Sequence, residues 1–325
     1  MLQFDDDFFK KEVRCDFEIS AMMKRAWAAE MEVLCVIDDI CRRNNLKYFA
    51  DSGTLLGAVR HKGFIPWDDD IDLAMLREDY KKLIQILPEQ LPQGFVVTGI
   101  HAKEKKYRSE RTHQLMVAAD RDLWDINEYI RYFHGYPYKY VAVDIFPMDY
   151  VPEDEGLFRI QSGLIQKGLI IVAKWDELKE QGVLEKYLTD YENQTGIQLP
   201  KEDTKFHLLK LTDTIASMYG KEDGENVKCI AWDYIEVVKD ENYLDTIWMP
   251  FENIVVPAPI GYDEELRACY GDYKEFVRGT SVHQYPFYKD MDKAFQEQLE
   301  LAGVPYSVEE FCEKILTNEI IVDWK

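Results

Sequence analysis

The chain has 325 residues, enough for about two domains or one elaborated domain, and its 46% hydrophobic content is ordinary for a protein with a sizeable core. Its formal net charge of −22 argues against the broad basic surface that binds nucleic acid. Its 6 cysteines show neither a C-x-x-C pair nor a zinc-like spacing, so we expect reduced thiols in a cytosolic protein.

The sequence shows no run of about 18 apolar residues, the length a bilayer crossing needs. Its acidic N-terminus lacks the apolar core of a signal peptide. We therefore expect no transmembrane segment and a cytoplasmic location. Peripheral contact with the inner face of the membrane is a second possibility, which would need a local basic patch.

The first half of the chain alternates helix-like and strand-like segments. Apolar residues spaced by three and four predict a long core helix within residues 17–43. A short strand at 46–50 enters a glycine turn, and residues 54–60 suit a helical turn whose N-terminus could face phosphate. Further strands are predicted at 70–75, 94–100, 114–119 and 140–146, with a helix at 77–87. Pro147 is expected to end the last strand and leave Asp149 in a loop.

The second half is predicted to be mostly helical, with helices at 156–179, 183–193 and 204–219, then a short strand at 254–256 and helices at 263–270, 290–302 and 307–316. These patterns predict an α/β (α+β) fold, with a mixed sheet core flanked by helices and a mostly helical subdomain. We place the catalytic core at 1–152, the helical subdomain at 153–245 and a C-terminal segment that packs back on the core at 246–325.

Four aspartates crowd into the segment 68–72, just after Trp67. Asp70-Ile71-Asp72-Leu73 alternates polar and apolar residues, and on a strand the two aspartates would point to the same face. Two neighbouring carboxylates repel each other unless a cation neutralises them, and Mg²⁺ prefers carboxylate and phosphate oxygens. An isolated D-x-D is usually a solvated loop, but apolar strand residues and a glycine-rich turn accompany this one. The segment therefore predicts a metal site.

A basic run, Arg60-His61-Lys62, follows the glycine-rich turn and offers cationic partners for phosphate, while the turn offers amide groups. Arg60 has an alternative role, a salt bridge to Asp68 or Asp69 that would keep the loop folded. His61 is more typical of a loop residue than of an acid or base. A metal site at the aspartates next to phosphate-binding groups in the turn and the basic run predicts phosphoryl transfer.

The segment resembles the signature of the LicD family, which is related to fukutin and the fukutin-related protein. The resemblance is carried by GTLLG at 53–57, Arg60, IPWD at 65–68 and the aspartates at 70 and 72. VAVDIFPMD at 141–149 and the segment 250–273 resemble later family blocks, so the likeness extends from about residue 27 to 283.

The resemblance implies a nucleotidyltransferase-type fold, in which a D-x-D pair and a carboxylate from a later strand bind the metal. By position, Asp70, Asp72 and Asp144 are the expected catalytic and metal-binding residues, with Mg²⁺ or alternatively Mn²⁺ as the cofactor. Thr54 and Ser52 match the phosphate-side hydroxyl. The expected substrate-binding residues lie in the turn, in the basic run and beside the aspartates: Ser52, Gly53, Thr54, Gly57, Arg60, His61, Lys62, Trp67 and Asp149.

The implied reaction moves phosphocholine, or a related phospho-alcohol, from a CDP-linked donor to a hydroxyl of a cell-surface glycan or its lipid-linked precursor, of the lipopolysaccharide or teichoic acid kind, and releases CMP. Asp144 and Asp149 are candidate general bases, although a metal-bound carboxylate is a poor base. Trp67 could recognise the quaternary ammonium of choline or simply brace the strand.

Two segments depart from the family pattern. A charged stretch around Arg108 and Arg111 stands where an arginine-rich strand is expected, and His283-Gln284 stands where two histidines are expected. These departures concern the choice of donor or acceptor. The alternatives to phosphocholine transfer are nucleotidyl transfer at the α-phosphate and a non-catalytic nucleotide- or glycan-binding relative. A glycosyltransferase is disfavoured because it would need a separate nucleotide-sugar sheet.

Overall fold

The computed structural model describes residues 1–5, 7–110, 114–230, 237–277 and 285–323. Its strands are β1 (Glu12–Arg14), β2 (Phe17–Ile19), β3 (Phe49–Ala50), β4 (Asp72–Leu76), β5 (Phe95–Gly99), β6 (Leu115–Asp120), β7 (Tyr140–Val151), β8 (Asn226–Lys228), β9 (Val238–Lys239), β10 (Thr246–Phe251) and β11 (Ile254–Pro259). Its helices are α1 (Ala21–Arg43), α2 (Ser52–Arg60), α3 (Arg77–Gln90), α4 (Ile126–Tyr132), α5 (Glu155–Ala173), α6 (Trp175–Glu180), α7 (Leu184–Thr195), α8 (Thr204–Ala216), α9 (Tyr262–Tyr270), α10 (Lys289–Leu301) and α11 (Val308–Leu316).

A mixed sheet with the order β3–β4–β7–β6–β5 forms the centre of the molecule. β4 and β7 run parallel, whereas the other neighbours in this order are antiparallel. The far end of β7 pairs with β8, which in turn pairs with β9. The α/β prediction with a mixed sheet flanked by helices is therefore confirmed.

The long helix α1 packs on this sheet and positions the aspartate segment. Ser20 caps it by accepting a hydrogen bond from the Met23 amide at 3.1 Å. The Trp27 ring stacks on Phe64, and its Nε1 donates to the Asp68 carbonyl oxygen at 3.0 Å. The helix begins at Ala21 because residues 17–19 form a small hairpin with residues 12–14.

Helices α5 to α8 enclose an apolar cluster separate from the main core. Ile165, Leu188 and Leu209 are among its buried members. The predicted helix 156–179 is two helices, with Lys174 standing between α5 and α6. The helical subdomain is therefore present, and its proposed boundaries at 153 and 245 stay predictions.

Two predictions about strands were wrong. β7 does not end at Pro147 but continues through Asp149 to Val151. The Asp144 amide donates to the Ile71 carbonyl oxygen on the β4 side, and amides alternate sides along a strand. Pro147 therefore faces the β6 side, where pairing with β6 has stopped at Ile145. The strand predicted at 254–256 does not end there but continues to Pro259 as β11, which pairs with β10 in a two-stranded hairpin.

All 6 cysteines lie in the described ranges, and no two of them are joined in a disulfide. No described helix combines the length and apolar character that a bilayer crossing requires.

Candidate active site

Parallel pairing brings two distant aspartates side by side. Asp72 at the start of β4 is in register with Asp144 on β7, and the next pair is Leu73 with Ile145. Neighbouring strand residues in register share a face, and successive residues alternate faces. Leu73 and Ile145 are fully buried, whereas the two aspartates are half-buried. The carboxylates therefore share the open face. Asp70, expected on the strand, lies just before β4 begins.

The surroundings of Asp72 are strongly acidic. Burial raises the pKa of Asp72 well above its usual range, and the carboxylates of Asp70, Asp144 and Asp51 raise it further. The Gln114 side chain donates from Nε2 to Asp144 Oδ2 at 3.1 Å. A cluster of carboxylate oxygens in which each disfavours the charge of the next matches the ligand set of a hard divalent cation. Among the described residues, however, the carboxylates whose oxygens lie within 4.8 Å of one another are those of Asp68, Asp69 and Asp70. The binding of Mg²⁺ or Mn²⁺ by Asp70, Asp72 and Asp144 stays a prediction.

The amino end of α2 is tied directly to the aspartate strand. The Asp51 amide donates to the Asp72 carbonyl oxygen at 3.0 Å, and the Asp72 amide donates to Thr54 Oγ1 at 2.9 Å. The Asp51 side chain makes no capping hydrogen bond to the first turn of α2. A helix N-terminus of this kind favours an anion beside the aspartates.

Two glycines of the GTLLG motif are needed for close packing. A Cβ at Gly53 would lie 2.3 Å from Asp68 Oδ2, and a Cβ at Gly57 would lie 2.4 Å from the Gly63 carbonyl oxygen. Gly53 therefore admits the Asp68 carboxylate against the start of α2. Gly57 admits the loop that carries the basic run. These contacts explain the motif sterically, and substrate binding by both glycines stays a prediction.

Arg60 is engaged with the C-terminal segment. Its Nη1 donates to the carbonyl oxygens of Tyr273 and Glu275, each at 3.1 Å, and its guanidinium lies 4.8 Å from the Phe276 ring centroid. The alternative salt bridge to Asp68 or Asp69 is not among the ion pairs of the described residues. Its phosphate contact stays a prediction.

His61 and Lys62 complete the basic run. Burial lowers the pKa of His61 to about 4, with the charges of Arg60 and Arg14 contributing, so this imidazole is neutral near pH 7. Arg60 Nε donates to His61 Nε2 at 3.1 Å. Lys62 has a left-handed φ of 59° and is exposed. Of these three residues, Lys62 has the side chain most open to a ligand.

Trp67 belongs to an aromatic rim beside the aspartates. Its ring centroid lies 6.1 Å from that of Phe17 and 6.4 Å from that of His61, and Phe17 in turn lies 5.6 Å from Tyr285. Trp67 is half-buried, so part of its surface is open. The contacts support the bracing role, and recognition of choline stays a prediction.

Asp149 lies in a buried ion-pair junction. Arg77 Nε and Nη2 donate to its two carboxylate oxygens at 2.6 and 2.8 Å, and Arg77 Nη1 donates to Asp213 Oδ1 at 2.8 Å. Asp149 is 1% exposed. This geometry favours a structural role, the joining of the sheet to α8. Its substrate contact and its role as a base stay predictions.

Three buried carboxyl groups near the site were missed by sequence reasoning. Burial raises the pKa of Asp51 to about 6. Glu265 on α9 is 2% exposed, and burial together with the Asp51 charge raises its pKa to about 8. Glu30 on α1 is also 2% exposed. Asp51 directly precedes the recognised turn and could have been included, but the two glutamates look like ordinary residues of amphipathic helices.

The remaining predicted residues lie apart from the aspartates or outside the described ranges. Arg108 Nη1 is 3.5 Å from Asp203 Oδ2, and its guanidinium lies 4.7 Å from the Phe206 ring centroid. Arg108 therefore contacts the helical subdomain. Arg111, His283 and Gln284 fall outside the described residues.

Comparison with known proteins agrees with this geometry. A family model described as "LicD/FKTN/FKRP, nucleotidyltransferase domain" matches residues 45–157. The "Lipopolysaccharide cholinephosphotransferase LicD" of Haemophilus influenzae is 25% identical over 263 residues, which cover 77% of this chain and 92% of that protein. An uncharacterised Rickettsia typhi protein is 33% identical over 143 residues, 42% of this chain and 41% of the relative. An uncharacterised Rickettsia prowazekii protein is 50% identical over 60 residues, 18% of this chain and 23% of the relative.

The mixed sheet, the turn that opens α2 and the aspartates in register define an α/β protein with a nucleotidyltransferase-type core. The matched region runs from just before β3 to the start of α5 and includes every residue expected to bind the metal or the substrate. The family-model match over residues 45–157 and the alignment with the Haemophilus influenzae protein both support the resemblance to the LicD family.

Proposed function

We propose that this protein is a metal-dependent transferase. It moves phosphocholine, or a related phospho-alcohol, from a CDP-linked donor to a hydroxyl of a cell-surface glycan or its lipid-linked precursor, and releases CMP. The observation that carries the proposal is the register of Asp72 with Asp144, next to the amino end of α2. The name of the Haemophilus influenzae relative supports choline phosphate and lipopolysaccharide as the substrate class.

Asp70, Asp72 and Asp144 would hold Mg²⁺ or Mn²⁺. When bound, the cation would offset the negative charge of the donor diphosphate. The residues around it would do the positioning. The amides in the first turn of α2 would hold diphosphate oxygens, and Lys62 would supply a positive charge from the exposed loop.

In the proposed reaction the acceptor oxygen attacks the distal phosphorus, which carries the choline. The bond from this phosphorus to the bridging oxygen breaks, and CMP leaves with that oxygen. The hydroxyl proton passes to a base on the protein. Of the two predicted bases, Asp144 lies at the site, whereas both oxygens of Asp149 accept from Arg77.

Two alternatives use the same residues. In nucleotidyl transfer the acceptor attacks the α-phosphorus, so the nucleotide stays on the acceptor and phosphocholine leaves. A non-catalytic relative would bind the nucleotide or glycan without turnover. The presence of all three carboxylates favours an enzyme over the non-catalytic reading.

The test is a screen of CDP-alcohols with Mg²⁺ and a lipopolysaccharide acceptor, with both CMP and free phospho-alcohol measured. Acceptor-dependent CMP release would support the proposal. Free phosphocholine without CMP would indicate nucleotidyl transfer, and CDP binding without either product would indicate a binding protein. The control is the double variant Asp70→Asn and Asp72→Asn, which should abolish CMP release. Co-sedimentation with acceptor-containing vesicles would test peripheral membrane contact.

A further inference from the structure

Helix α5 has one face that the protein itself covers. The buried residues of this helix are Gln161, Ile165, Gly168, Ile171 and Val172. A Cβ at Gly168 would lie 2.3 Å from Thr212 Cγ2 on α8 and 3.0 Å from the Tyr191 hydroxyl oxygen on α7. This face of α5 therefore packs closely against α7 and α8.

The opposite face of α5 is open and carries apolar residues. Ile160 is 63% exposed and Ile170 is 51% exposed. Gly163 lies between them, and a Cβ at this position would meet nothing within 4 Å. These three positions and Lys167 are spaced by three and four, so they form one stripe along the helix. The two isoleucines are about 15 Å apart along the helix axis.

The charge along this helix differs from that of the chain as a whole. Asp and Glu make up 61 of the 325 residues, yet the segment 156–175 contains neither. The same segment carries Arg159, Lys167 and Lys174, and none of them forms an ion pair with another described residue. Arg159 and Lys174 are exposed, and Lys167 is half-buried within the stripe. The open face of α5 is therefore cationic and apolar, on a chain whose net charge is −22.

Isoleucines and cations on one helix face fit a surface that is anionic outside and apolar beneath. An anionic bilayer has this arrangement, because apolar side chains enter the boundary between headgroups and acyl chains while lysine and arginine reach the phosphates. Each cation near such a leaflet strengthens binding about fivefold. A second copy of the chain fits less well, since a two-fold symmetric contact through this face would bring like charges together.

We propose that the open face of α5, formed by Arg159, Ile160, Gly163, Lys167 and Ile170, docks on an anionic membrane surface. Peripheral contact with a membrane needs a local basic patch on so acidic a chain, and this face supplies it. The docking does not rest on the proposed transferase activity, because lipid binding needs neither nucleotide nor glycan. It would hold the chain at the surface where a lipid-linked acceptor lies.

Co-sedimentation with vesicles measures the docking. The probe is a vesicle of phosphatidylcholine with phosphatidylglycerol, and vesicles of phosphatidylcholine alone are the reference. The full chain should bind the anionic vesicles only, and added salt should weaken the binding. Lys167→Gln should weaken it about fivefold, since one cation near the leaflet is lost. Ile160→Ser combined with Ile170→Ser should weaken it at least about tenfold, since two apolar side chains no longer leave water.

Matched controls change similar residues elsewhere. Val255 on β11 and Ile260 just after it are 53% and 46% exposed, so Val255→Ser combined with Ile260→Ser matches the isoleucine pair. Lys293 is an exposed lysine of α10 without an ion pair to another described residue, so Lys293→Gln matches Lys167→Gln. Both controls should bind anionic vesicles within about twofold of the wild type, because charges far from the leaflet are screened.

Equal binding to both vesicle types, or binding to neither, would overturn the proposal. Unchanged binding by the isoleucine variant would also overturn it, and Lys167→Gln carries the test if that variant does not fold. Sedimentation velocity without lipid tests a second copy: a dimer that the isoleucine variant disrupts would assign this face to self-association and reject docking. Vesicle binding without CMP release would keep the docking and reject the transferase, and the reverse result would do the opposite.

Discussion

Buried carboxylates occur in two regions of this molecule, and the charges that surround them are of opposite sign in the two. At the junction between the sheet and α8, Asp149 and Asp213 share the guanidinium of Arg77. Burial opposes the charge on Arg77, but the two aspartates outweigh it and raise its pKa. At the candidate active site, the groups that dominate the surroundings of Asp72 are Asp70, Asp144 and other carboxylates.

The two regions differ in role: the junction stabilises the fold, whereas the candidate active site serves function. At the junction the protein supplies its own cation with bidentate geometry, so the carboxylates there connect two parts of the fold. At the site the carboxylates of Asp72 and Asp144 converge on an open face. The repulsion between these two carboxylates destabilises the folded chain, so stability of the fold does not explain why they lie together. A bound cation would offset the repulsion. The following predictions test this contrast.

The largest expected effect is at the junction. Arg77→Met would leave two buried aspartates without their cation and should lower the free energy of unfolding by about 3–5 kcal/mol. Urea denaturation of the metal-free protein measures this. Adding Asp149→Leu to Arg77→Met should recover part of the loss. A loss below about 1 kcal/mol for Arg77→Met would show that the junction is not structural.

At the site the effect should fall on activity instead. Asp72→Asn should lower kcat/KM for CMP release by about 10²-fold or more, in line with the loss of a fixed electrostatic contact. In metal-free buffer its urea midpoint should equal or exceed that of the wild type, because one of the repelling charges is gone. A urea midpoint clearly below the wild-type value would show that Asp72 stabilises the fold, as the junction aspartates do.

The site should also give the metal-free protein a characteristic pH dependence. Burial and the Asp51 charge raise the pKa of Glu265 from 4.5 to about 8, so the folded chain keeps a proton that the unfolded chain releases. Stability should therefore fall as pH rises from about 5 to 8, by up to about 1.4 kcal/mol per pH unit for this one group. Urea midpoints at several pH values measure the slope, and Glu265→Gln should flatten it. An unchanged slope in the variant would exclude Glu265 as its source.

The smallest effect concerns the aromatic rim. If Trp67 contacts the choline ammonium, Trp67→Leu should raise KM for CDP-choline about two- to fivefold, in line with a partly exposed cation–π contact. KM for a donor with an uncharged alcohol, such as CDP-glycerol, should change less. An equal change for both donors would assign Trp67 to bracing alone.

Local sequence patterns were sufficient for much of the fold. Alternation between Asp70 and Leu73 predicted a carboxylate pair at a strand, and the GTLLG turn predicted the amino end of α2. Helices α1, α3, α7 and α9 lie where periodicity placed them, with ends shifted by a few residues. These features depend on neighbours in the chain, which the sequence displays directly.

The tertiary structure decided the rest. Asp144 joins Asp72 because β4 and β7 pair in one particular parallel register, and a shift by one residue would turn either carboxylate to the other face. Arg77 reaches Asp149 across 72 positions of the chain, and Trp27 donates to the Asp68 carbonyl oxygen only because α1 packs over the aspartate loop. Contacts of this kind depend on how distant elements pack, which local periodicity does not encode.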